Sequence, residues 1–146
     1  MSEDLTITRM FSAPRELVFK AWTEPARLAS WFGPRGLSTP VEHIEADVRP
    51  GGRWQVRMVR GDTGAEIVVG GEYREIVEPE RLVFTCAMNF GDESLVTIRL
   101  ADHGGKTEMT FHQAGFATAE ERAGAHEGWA SAFERLSEYF TDKEQA

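Results

Sequence analysis

Residues 118–140 read TAEERAGAHEGWASAFERLSEYF, and the spacing inside this stretch decides how the rest of the chain folds. Trp129, Phe133, Leu136 and Phe140 follow one another at offsets of 4, 7 and 11, one stripe of a helix with ~3.6 residues per turn. Thr118 and Glu121 open it as a capping box, hydroxyl and carboxylate each satisfying the other's free backbone N–H. A helix over 118–140 is about 35 Å long at ~1.5 Å per residue, enough to cross a small domain.

The same stretch holds a false lead. His126-Glu127 begins like the helix of a zinc protease, which needs H-E-x-x-H so that two imidazoles one turn apart share a metal. The fifth position is Ala130, which has no lone pair to offer. His43, His103 and His112 are isolated in sequence, so no metal site is expected. Gly128 suits a close approach of helix to sheet, and His126 is left as a polar group at the edge of whatever the helix covers.

What needs covering lies upstream. RWQVRMVR (53–60) alternates with period two, placing Trp54, Val56 and Met58 on one face. RLVFTCAMNF (81–90) groups Leu82, Phe84, Cys86, Met88 and Phe90 in the same way. SLVTIRLAD (94–102) groups Val96, Ile98 and Leu100, and KTEMTFHQ (106–113) groups Met109 and Phe111. LTITRMF (5–11) and VEHIEADV (41–48) read as further strands. AEIVVGGEYREIVEPE (65–80) is a long one in which Gly70-Gly71 marks a bulge or bend. Short Gly, Pro and Asp turns join the later runs, so the expectation is an antiparallel meander of six to seven strands.

Two short helices precede most of this. In the first, over 12–22, Leu17, Val18, Ala21 and Trp22 form the apolar face, Ser12 or Ala13 lies near the cap, and Pro14 takes the first turn. The second, over 25–32, ends on Trp31 and Phe32 and is stopped by Gly33-Pro34 and Gly36. The fold class is therefore α+β, an antiparallel sheet whose apolar face is covered by the long helix.

With 146 residues, 41% hydrophobic and 27% charged, the chain reads as one globular domain over 1–146. Sixteen basic against 24 acidic side chains give a net charge of −8, and the arginines are scattered, so nucleic acid and anionic membrane are not expected partners. No apolar run approaches the ~20 residues of a membrane span. The first ten residues have neither the basic start nor the apolar core of a secretory signal, and a cytoplasmic location is expected. The one cysteine, Cys86, leaves no internal disulfide framework and reads as a buried, inert thiol. TDKEQA (141–146) reads as solvated or fraying surface.

Four ordered blocks carry a resemblance: FSAPRELVFKAWTEPARLASWFGP (11–34), ADVRPGGRW (46–54), GEYREIVEPERLVFT (71–85) and HEGWASAFERLSEYF (126–140). Together they closely resemble the stand-alone bacterial proteins related to the carboxy-terminal domain of the activator of heat-shock protein 90 ATPase. These belong to the START-like, or birch-pollen-allergen-like (SRPBCC), superfamily. The resemblance implies a helix-grip fold, in which a curved sheet wraps the long helix and an apolar cavity remains between them. It does not by itself imply a reaction, since members of the superfamily bind or transform unrelated ligands.

In that setting Trp31, Phe32, Trp54, Tyr73, Phe84, Trp129 and Phe133 have two readings: the filling of a dry core, or the lining of a ligand cavity. Under the second, Trp54, Tyr73, Phe84, Trp129 and Phe133 form walls, Trp31 and Phe32 stand near the entrance, Met58 supplies an adaptable thioether, and His126 reaches the edge. The ligand is then an apolar or aromatic small molecule. Met88 and Met109 lend the same support as Met58. No catalytic residue is assigned: there is no G-x-S-x-G elbow, Ser-His-Asp context or phosphate loop. Asp47 and Arg49 share a strand face and read as an ion pair. Binding is favoured over catalysis, and no cofactor is expected. The alternatives are a co-chaperone-like module that contacts a chaperone, and a polyketide cyclase- or hydrolase-like enzyme using Tyr73, His126 or an arginine in the same cavity. A homodimer is expected from the resemblance.

Overall fold

Alternating apolar residues need a layer to bury them, and in the computed structural model that layer is one antiparallel sheet gripping a long helix. The structure describes residues 3–89 and 91–145, with side chains as far as 141. Phe90, read above as an inward position, and the side chains of the charged tail beyond 141 lie outside the described residues. The strands are β1 (Glu3–Phe11), β2 (Leu37–Ser38), β3 (Ile44–Ala46), β4 (Arg53–Arg60), β5 (Glu66–Val77), β6 (Arg81–Met88), β7 (Ser94–His103) and β8 (Lys106–Phe116). The helices are α1 (Arg15–Thr23), α2 (Pro25–Leu28) and α3 (Ala119–Gln145). The sheet order is β1-β8-β7-β6-β5-β4-β2, with β3 also paired to β4. The meander from β4 to β8 is closed by β1, which returns to lie beside β8 with Ile7 opposite Phe111.

Eight strands stand where six to seven are expected, because β2, only two residues long, lies outside every run read as a strand. A strand of that length shows no alternation to read. The run 41–48 is not one strand: the Pro40 carbonyl accepts the His43 N–H at 2.9 Å, winding Val41–His43 into a 3-10 turn before β3 begins. Pro14 is likewise the residue before α1 rather than part of its first turn, and its carbonyl accepts the Leu17 and Val18 N–H groups.

The long helix runs for 27 residues, about 40 Å at ~1.5 Å each. Its start is capped one step wider than expected. The Thr118 hydroxyl accepts the Glu121 N–H at 3.1 Å, but the Glu121 carboxylate reaches past Thr118 to the Ala117 N–H. Phe133, Leu136 and Phe140 are fully buried and Trp129 partly so, which confirms the stripe. Phe133 packs edge-on against Phe111 of β8 at 5.3 Å, and Phe140 against Phe11 of β1 at 5.6 Å. Polar bonds fix the register of helix on sheet. The Trp129 indole donates to Gln113 Oε1 at 2.9 Å, and Gln113 Nε2 donates to Ser94 Oγ at 2.7 Å.

The inward faces of β4, β7 and β8 are those read from the alternation. β6 departs from it at its end: Met88 is 61% exposed, because the strand stops there before a left-handed turn at Asn89 (φ 52°). Gly70-Gly71 is also reassigned. The irregularity in the β5–β6 pairing falls between Tyr73 and Glu75, while a Cβ on Gly71 would stand 2.0 Å from the Thr85 carbonyl oxygen. The glycine permits close approach rather than a bulge. That same carbonyl accepts the Trp54 indole N–H at 3.0 Å. Among the described residues, no helix is long and apolar enough to cross a membrane.

Phe133→Ala is expected to cost about 3–5 kcal/mol of unfolding free energy, and Met88→Ala less than about 0.5, both read from urea denaturation. Equal effects would contradict the burial pattern.

Candidate functional site

Four tryptophans organise the interior. Buried indole N–H groups ordinarily find a partner, and three of these do: Trp31 donates to the Ala21 carbonyl at 3.0 Å, Trp54 to Thr85, and Trp129 to Gln113. Trp22 does not. It is 4% exposed, and its Nε1 is buried with no hydrogen-bond partner. The residue sits on the buried side of α1, where its ring slides beneath α3 and meets Phe111 at 6.2 Å, Trp129 at 5.9 Å and Phe133 at 6.0 Å.

That insertion changes where empty space remains. The expected cavity between α3 and the sheet is filled by Trp22, Phe111, Trp129 and Phe133, with Phe111 and Trp129 only 4.7 Å apart. A hollow lies to one side, walled by Trp22, Leu28 and Phe32 from the helical segment and by Trp54, Val56, Tyr73 and Phe84 from β4, β5 and β6. Its volume is about 10 Å³, the space of a single water. Glu45 and Ala46 of β3 form its rim.

Of the residues expected to line a cavity, Phe32, Trp54, Tyr73 and Phe84 are brought together here. Trp31 is fully buried against Trp22 at 4.7 Å and does not reach the hollow. Met58 packs under Gly33, where an added Cβ would lie 2.7 Å from its sulfur. Trp129 and Phe133 belong to the filled zone, and among the described residues none of α3 borders the hollow. His126 keeps the spacing of the stripe but is exposed, because it belongs to the first turns of α3, where no residue is buried. Of the supporting methionines, Met109 is buried and Met88 is not. The sequence placed Trp22 on an apolar helix face but gave it no cavity role, and it placed Val56 on the apolar face of its strand with none either. The signal that singles out Trp22, its unpaired N–H, exists only in three dimensions.

Glu45 and Ala46 are also the inner end of an open cleft of about 510 Å³ lined by Asp47, Arg49, Gly51, Gly52 and Arg53. A tight turn builds it. The Gly51 N–H donates to the Tyr73 carbonyl and the Tyr73 N–H to the Gly52 carbonyl, both at 2.8 Å. Gly51 has φ +85°, and a Cβ on Gly52 would fall 2.0 Å from the Asp47 carbonyl oxygen, so neither position tolerates a side chain. Asp47 and Arg49 form the expected exposed ion pair at 2.8 Å. Burial, helped by the negative charge of Asp47, pushes the Tyr73 phenol up to about 12. It is therefore a neutral hydroxyl at physiological pH. Burial alone pushes the Cys86 thiol up to about 12, which keeps it unreactive. Among the described residues, no three His, Cys, Asp or Glu side chains gather closely enough to hold a metal ion.

The family model described as activator of Hsp90 ATPase homolog 1-like protein matches residues 12–141. The chain belongs to this family. Its architecture is the helix-grip fold, shared with several solved structures. The AHSA1 protein from Silicibacter pomeroyi is 26% identical with a TM-score of 0.87, over 97% of this chain and 99% of that one. A protein from Chromobacterium violaceum is 27% identical with a TM-score of 0.86, over 94% and 96%. DynU16, a protein from the dynemicin biosynthetic locus, is 25% identical with a TM-score of 0.75, over 93% of this chain but 46% of that one. A comparison with curated proteins gives no match.

Two buried groups with lowered acidity, Cys86 and Tyr73, make stability fall at alkaline pH. The folded state holds the Cys86 and Tyr73 protons more tightly than the unfolded chain, whose groups titrate near 9.0 and 10.0. Above those values the unfolded state binds fewer protons, so stability is complete below pH 9 and falls as pH climbs toward 12, by up to about 1.4 kcal/mol per pH unit per group. Tyr73→Phe is expected to flatten the part of the decline that begins near pH 10, measured by urea denaturation at several pH values. An unchanged slope would contradict the burial of the phenol.

Proposed function

We propose that this protein binds a small, largely apolar molecule at the hollow beneath Trp22, reached through the cleft beside β3. The observation that carries the reading is the unpaired Trp22 N–H on the wall of an otherwise apolar space. A buried donor without an acceptor costs about 1–3 kcal/mol. A protein that only needed a core could have used Phe here at no such cost. Family membership supports the reading at the level of architecture, and the biosynthetic-locus origin of DynU16 is compatible with a small-molecule role.

The closed hollow holds about one water, so a ligand has to displace side chains to enter. The two walls differ in how firmly they are held. α2 and the turn after it are tied to α3: Arg135 Nη1 donates to the Gly33 carbonyl at 2.8 Å, Arg27 Nη1 to the Tyr139 hydroxyl at 3.0 Å, and the Arg35 backbone N–H to Ser131 Oγ at 3.0 Å. β3 on the opposite side is three residues long and pairs only with β4. Short, singly paired strands open at low free-energy cost, which favours admission at Ala46. Catalysis has less support, because Tyr73 stays protonated at neutral pH and Glu45 stands exposed at the rim.

Small aromatic and alicyclic compounds are expected to raise the melting temperature and change tryptophan emission, with ~2.7 kcal/mol of stabilisation at a hundredfold excess over Kd. Ala46→Phe at the rim is expected to abolish both effects while leaving the free protein folded. No response across such a panel, together with a crystal structure that keeps the hollow at its present size, would remove the reading.

A further inference from the structure

We infer that Trp22 is the specificity-determining residue of this site and selects ligands that carry a hydrogen-bond acceptor on their buried, ring-bearing end. This rests on the reading of the hollow as a ligand site and goes one step further, to the chemical class of the occupant.

The case is made by comparing the four indoles. Trp31, Trp54 and Trp129 each donate to an oxygen at 2.9–3.0 Å, so the fold finds an acceptor wherever the ring is purely structural. The aromatic rings packed around Trp22 are Trp31, Phe84, Phe111, Trp129 and Phe133, which offer ring faces and edges, and its Nε1 has no hydrogen-bond partner. Trp22 is also a wall of the hollow. None of the other wall groups pairs with its N–H: the Trp54 N–H is a donor already engaged, and neither the Tyr73 hydroxyl oxygen nor the Glu45 carboxylate at the rim bonds to it. A carbonyl, ether or ring-nitrogen lone pair on an occupant of the hollow offers the acceptor that this buried donor lacks.

A saturated or purely hydrocarbon analogue of the same shape buries the same apolar area but leaves the indole as it was. A site with an unpaired polar group discriminates against such an analogue more strongly than a smooth apolar wall does. The difference expected from one neutral hydrogen bond is about tenfold in Kd, or ~1.4 kcal/mol.

Acetophenone and ethylbenzene form a suitable matched pair, similar in size and differing in one carbonyl oxygen. Binding of each to the full-length protein is measured by calorimetry, and the indole N–H signals are followed in nitrogen-15 correlation spectra, with Trp22→Phe assigning the Trp22 signal. The expected result is an approximately tenfold preference for acetophenone, a downfield movement of the Trp22 indole proton with acetophenone alone, and loss of the preference in Trp22→Phe. Equal affinity for the two compounds overturns the inference and leaves the ligand-site reading in place. Binding of neither compound overturns the inference, and the ligand-site reading falls with it when the wider panel and the crystal structure are also negative. If Trp22→Phe does not fold, the wild-type preference and the single indole signal that moves with acetophenone decide the matter.

Discussion

The insertion of the Trp22 ring between α3 and the sheet is the contact on which the interior arrangement depends. A helix with aromatic residues on one stripe, laid across a curved sheet, leaves a gap that its own side chains do not close. Trp22 comes from a third element, α1, and closes it by touching Phe111 on the sheet and both Trp129 and Phe133 on the helix. Aromatic pairs at these separations each add about 0.5–1.5 kcal/mol beyond the area they bury. The filled zone and the hollow are two outcomes of the same placement: the ring that plugs the centre also borders the space left beside it.

The architecture was legible because its signals are periodic. The stripe from Trp129 to Phe140 and the alternation in β4, β7 and β8 each repeat often enough to identify the element and its buried face. What escaped was short or non-local. β2 is below the length at which alternation can be seen, β3 occupies only three residues of the run read as a strand over 41–48, and the widened cap at Ala117 depends on where one carboxylate happens to reach. Met88 obeys the period of β6 yet lies outside the core because the strand ends there. Gly70-Gly71 was recognisable as special, but a bulge and a close approach are indistinguishable until the partner strand is known.

The candidate site was half legible for a related reason. Phe32, Trp54, Tyr73 and Phe84 are aromatic residues on inward faces, and such residues converge wherever a sheet curves. Trp31, Met58, Trp129 and Phe133 meet the same criterion and are simply core. Amphipathic patterning says which residues face inward; it does not say which of them border the last unfilled space. His126 failed for a plainer reason: it keeps the spacing of the stripe, but it belongs to the first turns of α3, which stand exposed. The partnerless indole of Trp22 is a statement about an absent oxygen, and no one-dimensional pattern encodes it.

The close packing of β5 against β6 at Gly71 has a consequence for descent. Trp54 lies opposite Gly71 in the β4–β5 pairing, and its indole crosses to the Thr85 carbonyl through the room that the missing side chain provides. The two positions are therefore coupled sterically. A lineage that acquires a methyl group at 71 forfeits the crossing bond and leaves the indole at 54 stranded, so the pair should drift in concert, small residue with large, and switch together if they switch at all.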